Sequence, residues 1–475
     1  MSDCCPPNSN DTFDLAVIGA GSAGFSAAIT AADDGAKVAL IGGGTIGGTC
    51  VNVGCVPSKA MIRAVEPIHV AKAAGRFDGI EASARVTDWA AVIRQKQALV
   101  DDLRAAKYID VLPNYNSIAY MEGAASFAKG GVLTVDGSSV SAGKIIIATG
   151  SRPHVPDIPG LDHVTHYDST SILQLDELPA SLIVMGGGYI GVELAQVFAR
   201  AGTAVTIVTR RGLLPEAEPE ISKALTGYFN DEGITVRRGL TYNEVSGADG
   251  EIRLHVSTDR GDEIISGEKL LLATGRVPNT GMLGLDHAGI TTNGNGGIVI
   301  DPQMRTSRNG VYAVGDVTGR DQFVYMAAYG AKIAAKNAMN GNAHSYDNSA
   351  MPAVVFSDPQ VASVGLTEAQ AVAQGIDTRT SALPLEHVPR ALAARDTRGL
   401  IKLVADSGTK KLIGAHILAP EGADSIQTAA MAIKAGMTYE DLGAMIFPYL
   451  TTVEGLKLAA QTFDQDVAKL SCCAG

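Results

Sequence analysis

The sequence lacks the features that mark membrane-spanning and nucleic-acid-binding proteins. It contains no uninterrupted run of about 18 apolar residues, the length typical of a membrane span. It has no excess of positive charge, because 38 Lys and Arg face 50 Asp and Glu and the net charge is -12. Phosphate binding needs a basic face, so we expect neither a membrane span nor a nucleic-acid partner.

Signals for secretion are missing as well. The first residues, MSDCCPPNSND, are polar and carry an acid where a signal peptide has a positive charge followed by an apolar run. Six cysteines are few for so long a chain, and they occur as three pairs: Cys4 with Cys5, Cys50 with Cys55, and Cys472 with Cys473. This usage fits working thiols in a reducing compartment, so we expect a cytoplasmic protein.

Glycine, by contrast, is abundant and marks two copies of one pattern. The apolar run LAVIG begins at residue 15 and leads into a G-x-G-x-x-G turn, a helical pattern and the strand KVALI, and residues 182–209 repeat this unit at an offset of 167. The matching glycines are Gly19, Gly21 and Gly24 in the first copy and Gly186, Gly188 and Gly191 in the second. Such turns let the backbone and a helix N-terminus approach a pyrophosphate, so we predict two dinucleotide sites.

A cysteine pair follows the first copy directly, in the segment GGTCVNVGCVPSK at 47–59. The glycines and Thr49 are typical of a helix entry, where the pKa of a cysteine falls and its reactive thiolate forms more readily. Pro57 fits only in the first turn of a helix or at a kink. A structural zinc half-site is the alternative, but it needs further cysteines or histidines nearby, which this segment does not have.

The segment GGTCVNVGCVPSK resembles the active-site disulfide segment of the pyridine nucleotide-disulfide oxidoreductases, and within this family it is most similar to the mercuric reductase branch. The resemblance runs from Phe13 to Gly475. It implies an α/β fold with two Rossmann-like dinucleotide-binding domains, for FAD and NADPH, and a C-terminal α+β dimerisation domain. It also implies a homodimer that shares its active site between subunits and reduces Hg(II), bound as a thiol complex, to Hg(0).

Two ATG motifs, at 148–150 and 273–275, each follow a short apolar strand and indicate where the chain leaves the first nucleotide domain and returns to it. The predicted divisions are a flexible tail at 1–12, an FAD-binding domain at 13–150 and 275–344, an NADPH-binding domain at 151–274, and an interface domain at 345–475 that ends in the Cys-Cys tail. The segment 88–108 has helical periodicity and is interpreted as packing.

The first glycine turn leads into the cysteine pair, and a flavin can stay bound while passing electrons in pairs to a disulfide, so we assign FAD there. The predicted FAD-binding residues are Gly19, Gly21, Gly24, Thr49, Lys59, Gly150 and, by resemblance through GVYAVGDV at 310–317, Asp316. Gly42 stands where an acid normally binds the adenosine ribose. The sequence does not say what holds this ribose.

The second unit ends in TIVTRR, with Thr209 at the position of the acid that would bind the ribose of NAD. Arg210 and Arg211 follow, and arginine binds a 2′-phosphate through its planar donor fork. We therefore predict NADPH, although two solvated surface arginines remain the alternative. The predicted NADPH-binding residues are Gly186, Gly188, Gly191, Arg210, Arg211 and Gly275.

The resemblance also implies roles for individual residues. Cys55 would be the thiolate that touches the flavin, and Cys50 its outer partner. Tyr189 would gate the nicotinamide face. Lys59 and Glu193 would form an ion pair that tunes the flavin, with ordinary surface pairing as the alternative.

The C-terminal segment FPYLTTVEGLK at 447–457 indicates the substrate. Disulfide reductases of the family carry a histidine acid-base near a glutamate here, whereas this chain has Tyr449 and no histidine after His416. Loss of such a base slows thiol-disulfide exchange by roughly 10²–10⁴-fold, which disfavours a disulfide substrate. Tyr449 is instead expected to line the metal site.

The chain ends in SCCAG. Neighbouring Cα atoms lie about 3.8 Å apart, too close for an ordinary disulfide, so Cys472 and Cys473 are available to a soft metal ion. By resemblance this pair would receive Hg(II) and pass it to Cys50 and Cys55 of the partner subunit. An uninvolved terminus, an atypical disulfide reductase and a thiol metal buffer remain the alternatives.

Overall fold

The computed structural model describes residues 12–248 and 250–467, and the chain forms two compact units. The first unit contains residues up to Ala60, Ala91–His154 and Gly275–Asp347, and the second contains Met61–Ala90, Val155–Thr274 and residues from Asn348. The chain thus returns to its first unit at Gly275, the last residue of the second ATG motif. The predicted domain boundaries stay predictions, and Cys4, Cys5, Cys472 and Cys473 lie outside the described residues.

The first unit is built on a parallel sheet. Its strands run in the spatial order Val311–Ala313, Ser141–Ile147, Thr12–Ile18, Val38–Gly42 and Ile118–Glu122. The central strands read as unbroken apolar runs because both faces of the sheet are covered. The first strand begins at Thr12, the last residue of the predicted tail.

Each face of this sheet has its own cover. On one face, helices Ser22–Asp33 and Val324–Asn340 pack together through small buried alanines, including Ala27 and Ala331. On the other face, an antiparallel sheet of Ala125–Ala128, Val132–Val135 and Ser138–Ser139 buries Phe127. Strand Ser151–Pro153 pairs with Arg276–Pro278 where the chain departs and returns.

Further helices follow the first sheet strands along the chain. They are Gly48–Val53, Cys55–Lys72 and Trp89–Arg104, the last continued by a π-helical turn at Ala105–Ile109. The predicted helix over 88–108 is thereby confirmed, apart from the wider turn at its end. No helix in residues 12–248 and 250–467 is long and apolar enough to cross a membrane.

The second unit repeats the nucleotide-binding design. Its parallel strands run in the order Thr235–Arg238, Ala204–Thr209, Ser181–Met185 and Lys269–Leu272, with helices Tyr189–Ala201 and Pro219–Asp231. An antiparallel sheet of Thr241–Ala248, Glu251–Thr258 and Gly261–Gly267 contributes Leu254 and Val256 to the same core. The repeated strand–turn–helix pattern seen in the sequence is confirmed.

The C-terminal part of the second unit is an antiparallel sheet covered by helices. The strand order is Pro352–Val355, Gln360–Gly365, Leu412–Ala419, Leu400–Asp406 and Thr378–Pro384. The helices are Glu368–Ala373, Pro389–Ala393, Gly422–Lys434, Tyr439–Ala444 and Glu454–Gln461. Tyr439 stacks on Phe463 with ring centroids 4.2 Å apart inside this core.

An ion network ties the nucleotide-binding helix Tyr189–Ala201 to the C-terminal sheet within the second unit. Arg200 donates to Glu232 at 2.7 Å and to Asp358 at 3.0 Å. Arg398 binds Asp358 at 3.1 Å and holds both carboxylate oxygens of Asp396 at 2.8 Å. Burial alone would raise the pKa of Asp396, but the bonds from Arg398 outweigh burial and lower this pKa to about 2.

We predict that this network makes the free energy of unfolding depend on pH in the acidic range. The folded pKa of Asp396 lies below the ordinary value near 3.9, so its contribution is complete above about pH 4 and disappears as the pH falls toward 2. Asp396→Asn is expected to lower the free energy of unfolding by about 2–4 kcal/mol at pH 7. Urea unfolding measured from pH 7 to pH 3 should show that the difference in unfolding free energy between the native protein and Asp396→Asn becomes smaller. Asp377→Asn, at an exposed aspartate, should change the unfolding free energy little at any of these pH values. A difference independent of pH would contradict this account.

Candidate active site

The first glycine turn, residues 19–24, forms a bare helix N-terminus. Gly19 has φ +120°, and a Cβ there would lie 2.3 Å from the Ala148 carbonyl oxygen. A Cβ at Gly24 would lie 1.7 Å from the Gly19 carbonyl oxygen. Helix Ser22–Asp33 follows with Gly21 as its cap and no side-chain hydrogen bond to its first N–H groups. Those N–H groups suit a pyrophosphate, so this turn fits FAD.

The second glycine turn, residues 186–191, repeats these contacts. Gly186 has φ +118°, and a Cβ there would lie 2.2 Å from the carbonyl oxygen of Ala273. A Cβ at Gly191 would lie 2.1 Å from the Gly186 carbonyl oxygen, while the space beside Gly188 is open. Ala148 and Ala273 both begin ATG motifs, so each motif supplies the backbone against which its glycine turn closes. This turn fits a second dinucleotide.

The cysteine segment packs directly on the first glycine turn. Gly47, at φ +93°, donates its N–H to the Ala20 carbonyl at 2.8 Å, and a Cβ at Gly48 would lie 2.7 Å from the Gly21 Cα. Buried Asn52 then holds the short helix Gly48–Val53 by donating to the carbonyls of Ile46 and Gly48, both at 2.9 Å. The cysteines are therefore fixed beside the helix N-terminus that suits the pyrophosphate.

The two cysteines lie on separate helices. Cys50 is in Gly48–Val53, and Cys55 is the first residue of Cys55–Lys72, with Gly54 between them. A Cβ at Gly54 would lie 2.9 Å from the Thr49 carbonyl oxygen, so glycine allows the sharp break. Pro57 falls in the first turn of the second helix, one of the two placements that the sequence allowed. A helix N-terminus stabilises a thiolate, which favours the charged form of Cys55.

The two sulfurs are thiols that are hydrogen-bonded to each other. This bond, burial and the negative charge of Cys55 raise the pKa of Cys50, while the positive charge of Lys59 acts in the opposite direction. Cys50 therefore keeps its proton when Cys55 ionises. The pair then consists of one thiol that donates to one thiolate. The outer role of Cys50 and the inner role of Cys55 stay predictions.

Tyr108 is a site residue that the sequence did not reveal. Its hydroxyl is 2.9 Å from the Ser22 hydroxyl at the first turn of the glycine-turn helix, and its ring meets Phe25 edge-on at 4.9 Å. Burial is the main cause that raises the pKa of Tyr108, and the charges of Cys50 and Cys55 raise it further. Tyr108 lies in the π-helical turn at 105–109, and such turns often occur at functional sites.

Asp316 lies at the carboxyl edge of the same sheet, in the turn Gly315–Thr318 after strand Val311–Ala313. It accepts a hydrogen bond from the Ser151 hydroxyl at 2.7 Å, and that hydroxyl accepts from Arg276 at 2.8 Å. A Cβ at Gly315 would lie 3.5 Å from the Ala23 Cβ, so this turn adjoins the glycine-turn helix. The position suits the predicted FAD contact, as does the left-handed Gly150, at φ +69°.

At the second glycine turn, Thr209 is engaged with the backbone. Its hydroxyl donates to the Gly212 carbonyl at 3.1 Å. Arg210 lies over the ring of Tyr242, 5.3 Å from its centroid, and Arg211 pairs with Glu216 at 2.7 Å. The Arg211 pair is exposed and hence weak, so a ligand phosphate can displace Glu216. Both arginines are exposed, and both remain predicted ligands of the 2′-phosphate.

The remaining predicted residues lie in the second unit. Tyr189 begins helix Tyr189–Ala201 and is 40% exposed. Glu193 is 5% exposed and accepts the Phe356 N–H at 2.9 Å. Tyr449 is 52% exposed. Because Lys59 belongs to the first unit, its pairing with Glu193 stays a prediction, as do the roles of Tyr189 and Tyr449.

Comparison with known proteins agrees with this geometry. Residues 13–335 match the model of the pyridine nucleotide-disulphide oxidoreductase family, and residues 351–460 match the dimerisation domain of that family. The chain belongs to this family. As a member, it carries both dinucleotide-binding domains and the dimerisation domain, so the predicted fold class is confirmed. FAD and NADPH are the cofactors of this arrangement.

The relatives carry two kinds of name. Mercuric reductases of Streptomyces lividans and Lysinibacillus sphaericus are 47% and 46% identical over 98% of this chain, which covers 98% and 85% of their lengths. The mercuric reductase of Shigella flexneri is 48% identical, with 98% of this chain and 84% of that protein covered. The copper(II) complex of an HOCl-induced flavoprotein disulfide reductase from Escherichia coli superposes with a TM-score of 0.85 at 31% identity, over 95% of this chain and 99% of that one.

The charge of Lys59 provides a test of the thiol site that does not require turnover. Lys59→Met removes a positive charge that favours the thiolate, so the pH midpoint for alkylation of the reduced protein by iodoacetamide should rise by roughly one unit. Lys129→Met, an exposed lysine of the same unit, is the matched control and should leave the midpoint in place. An unshifted midpoint in Lys59→Met would remove Lys59 from the site.

Proposed function

We propose that this chain is an NADPH-dependent, FAD-containing mercuric reductase that converts Hg(II) to Hg(0) in the cytoplasm. The observation that carries the proposal is the hydrogen-bonded pair Cys50 and Cys55, packed on the first glycine turn of a chain whose relatives include mercuric reductases. A reducing compartment keeps such thiols unoxidised, which supports the cytoplasm.

Residues of the chain fit both cofactors. Gly19, Gly21, Gly24, Gly150 and Asp316 would hold FAD, together with Thr49 and Lys59 of the cysteine segment that packs on the same turn. Gly186, Gly188, Gly191 and Gly275 would hold the NADPH backbone, with Arg210 and Arg211 on its 2′-phosphate. When bound, NADPH supplies a hydride and FAD delivers the two electrons as a pair. Tyr189 would cover the nicotinamide pocket.

The substrate enters as a thiol complex of Hg(II). The Cys55 thiolate displaces one thiol ligand from the metal, and Cys50 displaces the other and gives its proton to a departing thiolate. Soft thiolates suit a soft cation, so Hg(II) is held by two sulfurs. Uptake of two electrons breaks both mercury–sulfur bonds, releases Hg(0) and leaves two thiolates, of which Cys50 regains a proton.

This reaction needs no acid-base group at the metal besides the Cys50 thiol, which gives up its proton when Hg(II) binds. Thiol-disulfide exchange must protonate a leaving sulfur, whereas the reduction of a coordinated cation itself transfers electrons alone. The absence of histidine after His416 therefore favours Hg(II) over a disulfide. Tyr449, which stands at the position of the histidine of disulfide reductases, would line the metal site.

Two copies of the chain are expected to share each site. The dimerisation domain contains an exposed apolar segment at 445–450, in which Ile446 is 97% exposed and Leu450 43%. A second copy would cover this segment and bring Tyr449 to the interface. Cys472 and Cys473 would then pass Hg(II) to Cys50 and Cys55 of the partner, and tethering raises the local concentration of metal at the inner thiols.

The function is tested by the choice of electron acceptor. NADPH oxidation by the purified protein should be fast with Hg(II) in excess thiol and slow with oxidised glutathione or lipoamide. Cys50→Ala should abolish the mercury-dependent rate. A preference for a disulfide would instead support the flavin disulfide reductase alternative, and metal that stays as Hg(II) would indicate a thiol metal buffer.

The tail is tested by its own variant. Replacing Cys472 and Cys473 together by alanine should leave flavin reduction by NADPH unchanged, because the inner site is intact. Mercury turnover should fall roughly tenfold or more at low competing thiol, where delivery limits the rate, and should recover partly at higher thiol. Replacement of Cys4 and Cys5 is the matched control. Unchanged turnover in the tail variant would show that the tail is idle.

A further inference from the structure

The end of the second strand has no room for the acid that usually binds an adenosine ribose. Strand Val38–Gly42 ends at Gly42, the position of that acid in dinucleotide-binding folds. A Cβ at Gly42 would lie 2.7 Å from the Ala20 Cβ and 2.9 Å from the Tyr120 hydroxyl oxygen. Glycine is therefore required here. The tyrosine hydroxyl occupies the space into which an acidic side chain would extend.

The neighbouring strand supplies both a hydroxyl and a carboxylate at this edge. Strand Ile118–Glu122 pairs in parallel with Val38–Gly42, so that Tyr120 lies opposite Leu40 and Glu122 opposite Gly42. Tyr120 and Glu122 are alternate residues of one strand and therefore share a face of the sheet. Since the Tyr120 hydroxyl lies next to the Cβ position of Gly42, Glu122 leaves the sheet on the face that a side chain at Gly42 would use. The carboxylate is displaced by one strand, about 4.8 Å. The Gly123 N–H donates to the Gly42 carbonyl at 3.0 Å and fixes the two strand ends together.

The Glu122 side chain is available to a ligand. Its side chain is exposed and makes no hydrogen bond or ion pair with any residue in the described part of the chain. Burial chiefly, and then the charge of Glu122, raises the pKa of Tyr120, so the phenol keeps its proton and can donate. A donor next to an acceptor is the pattern that a ribose hydroxyl requires.

We propose that Glu122 and Tyr120 form the subsite for the adenosine ribose of FAD. The Glu122 carboxylate accepts a hydrogen bond from the ribose 2′-hydroxyl, and the Tyr120 hydroxyl donates to a ribose oxygen. The inference rests on the assignment of FAD to the first glycine turn. It also gives this turn a selectivity: the negative charge of Glu122 repels a 2′-phosphate, whereas Arg210 and Arg211 attract one at the second turn. These charges would therefore direct FAD to the first turn and NADPH to the second.

The test compares binding of FAD with binding of an FAD analogue that contains 2′-deoxyadenosine. Flavin-free full-length protein is titrated with each, and flavin fluorescence reports the dissociation constant. The native protein should bind FAD roughly tenfold or more tightly than the analogue, as expected for a hydroxyl bonded to a carboxylate. Glu122→Ala should lose roughly tenfold in FAD affinity and bind the analogue as the native protein does. Tyr120→Phe should lose roughly three- to tenfold for FAD.

The controls separate the inference from the assignment of the cofactor. Asp102→Ala removes an exposed acid elsewhere in the first unit and should retain the native preference for FAD. Thermal unfolding followed by circular dichroism verifies that each variant is folded. If Glu122→Ala discriminates between FAD and the analogue as the native protein does, the inference is wrong while the FAD assignment stands. If the native protein binds no FAD, both are overturned.

Discussion

The site depends on backbone segments that meet where no side chain can fit. Gly19 packs against the Ala148 carbonyl, Gly24 against the Gly19 carbonyl, and Gly48 against the Gly21 Cα. A Cβ on Gly19, Gly24 or Gly48 would clash with these backbone atoms. These contacts hold the first glycine turn, the end of the strand Ser141–Ile147 and the cysteine segment together as one rigid group. The thiols consequently lie beside a helix N-terminus whose N–H groups have no side-chain cap. The close contacts at the glycines therefore determine both where the thiols lie and which helix N-terminus they adjoin.

The fold could be predicted because its signals are local and repeated. Apolar runs such as those around Leu15 and Leu182 are long enough for strands buried on both faces, and each is followed by the same glycine spacing. The sequence also limited Pro57 to the first turn of a helix or to a kink, and the structure has it in the first turn of Cys55–Lys72. These features depend on a few neighbouring residues, which a single sequence displays directly.

The residues that the sequence did not reveal act across long separations. Tyr108 reaches Ser22 over 86 positions, and Arg76 reaches Asp396 over 320. The sequence shows that Gly42 is not an acid, but the residue that lies opposite is set by the pairing of two strands, with Glu122 in register. Helical periodicity over 88–108 indicated packing and gave no reason to single out a tyrosine at its end. Such contacts depend on register and on the path of the chain, neither of which a local pattern encodes.

Glu454 shows how the C-terminal segment keeps its form without an imidazole. The side chain is 7% exposed, and a carboxyl group buried to this extent needs hydrogen bonds. It obtains one from the Leu450 N–H at 3.1 Å, and Leu450 adopts a left-handed φ of +63°. The acid therefore serves the backbone turn that presents Tyr449, and its presence does not require a catalytic histidine. A chain that reduces a coordinated cation can retain this glutamate for shape while the proton relay of a disulfide reductase is absent.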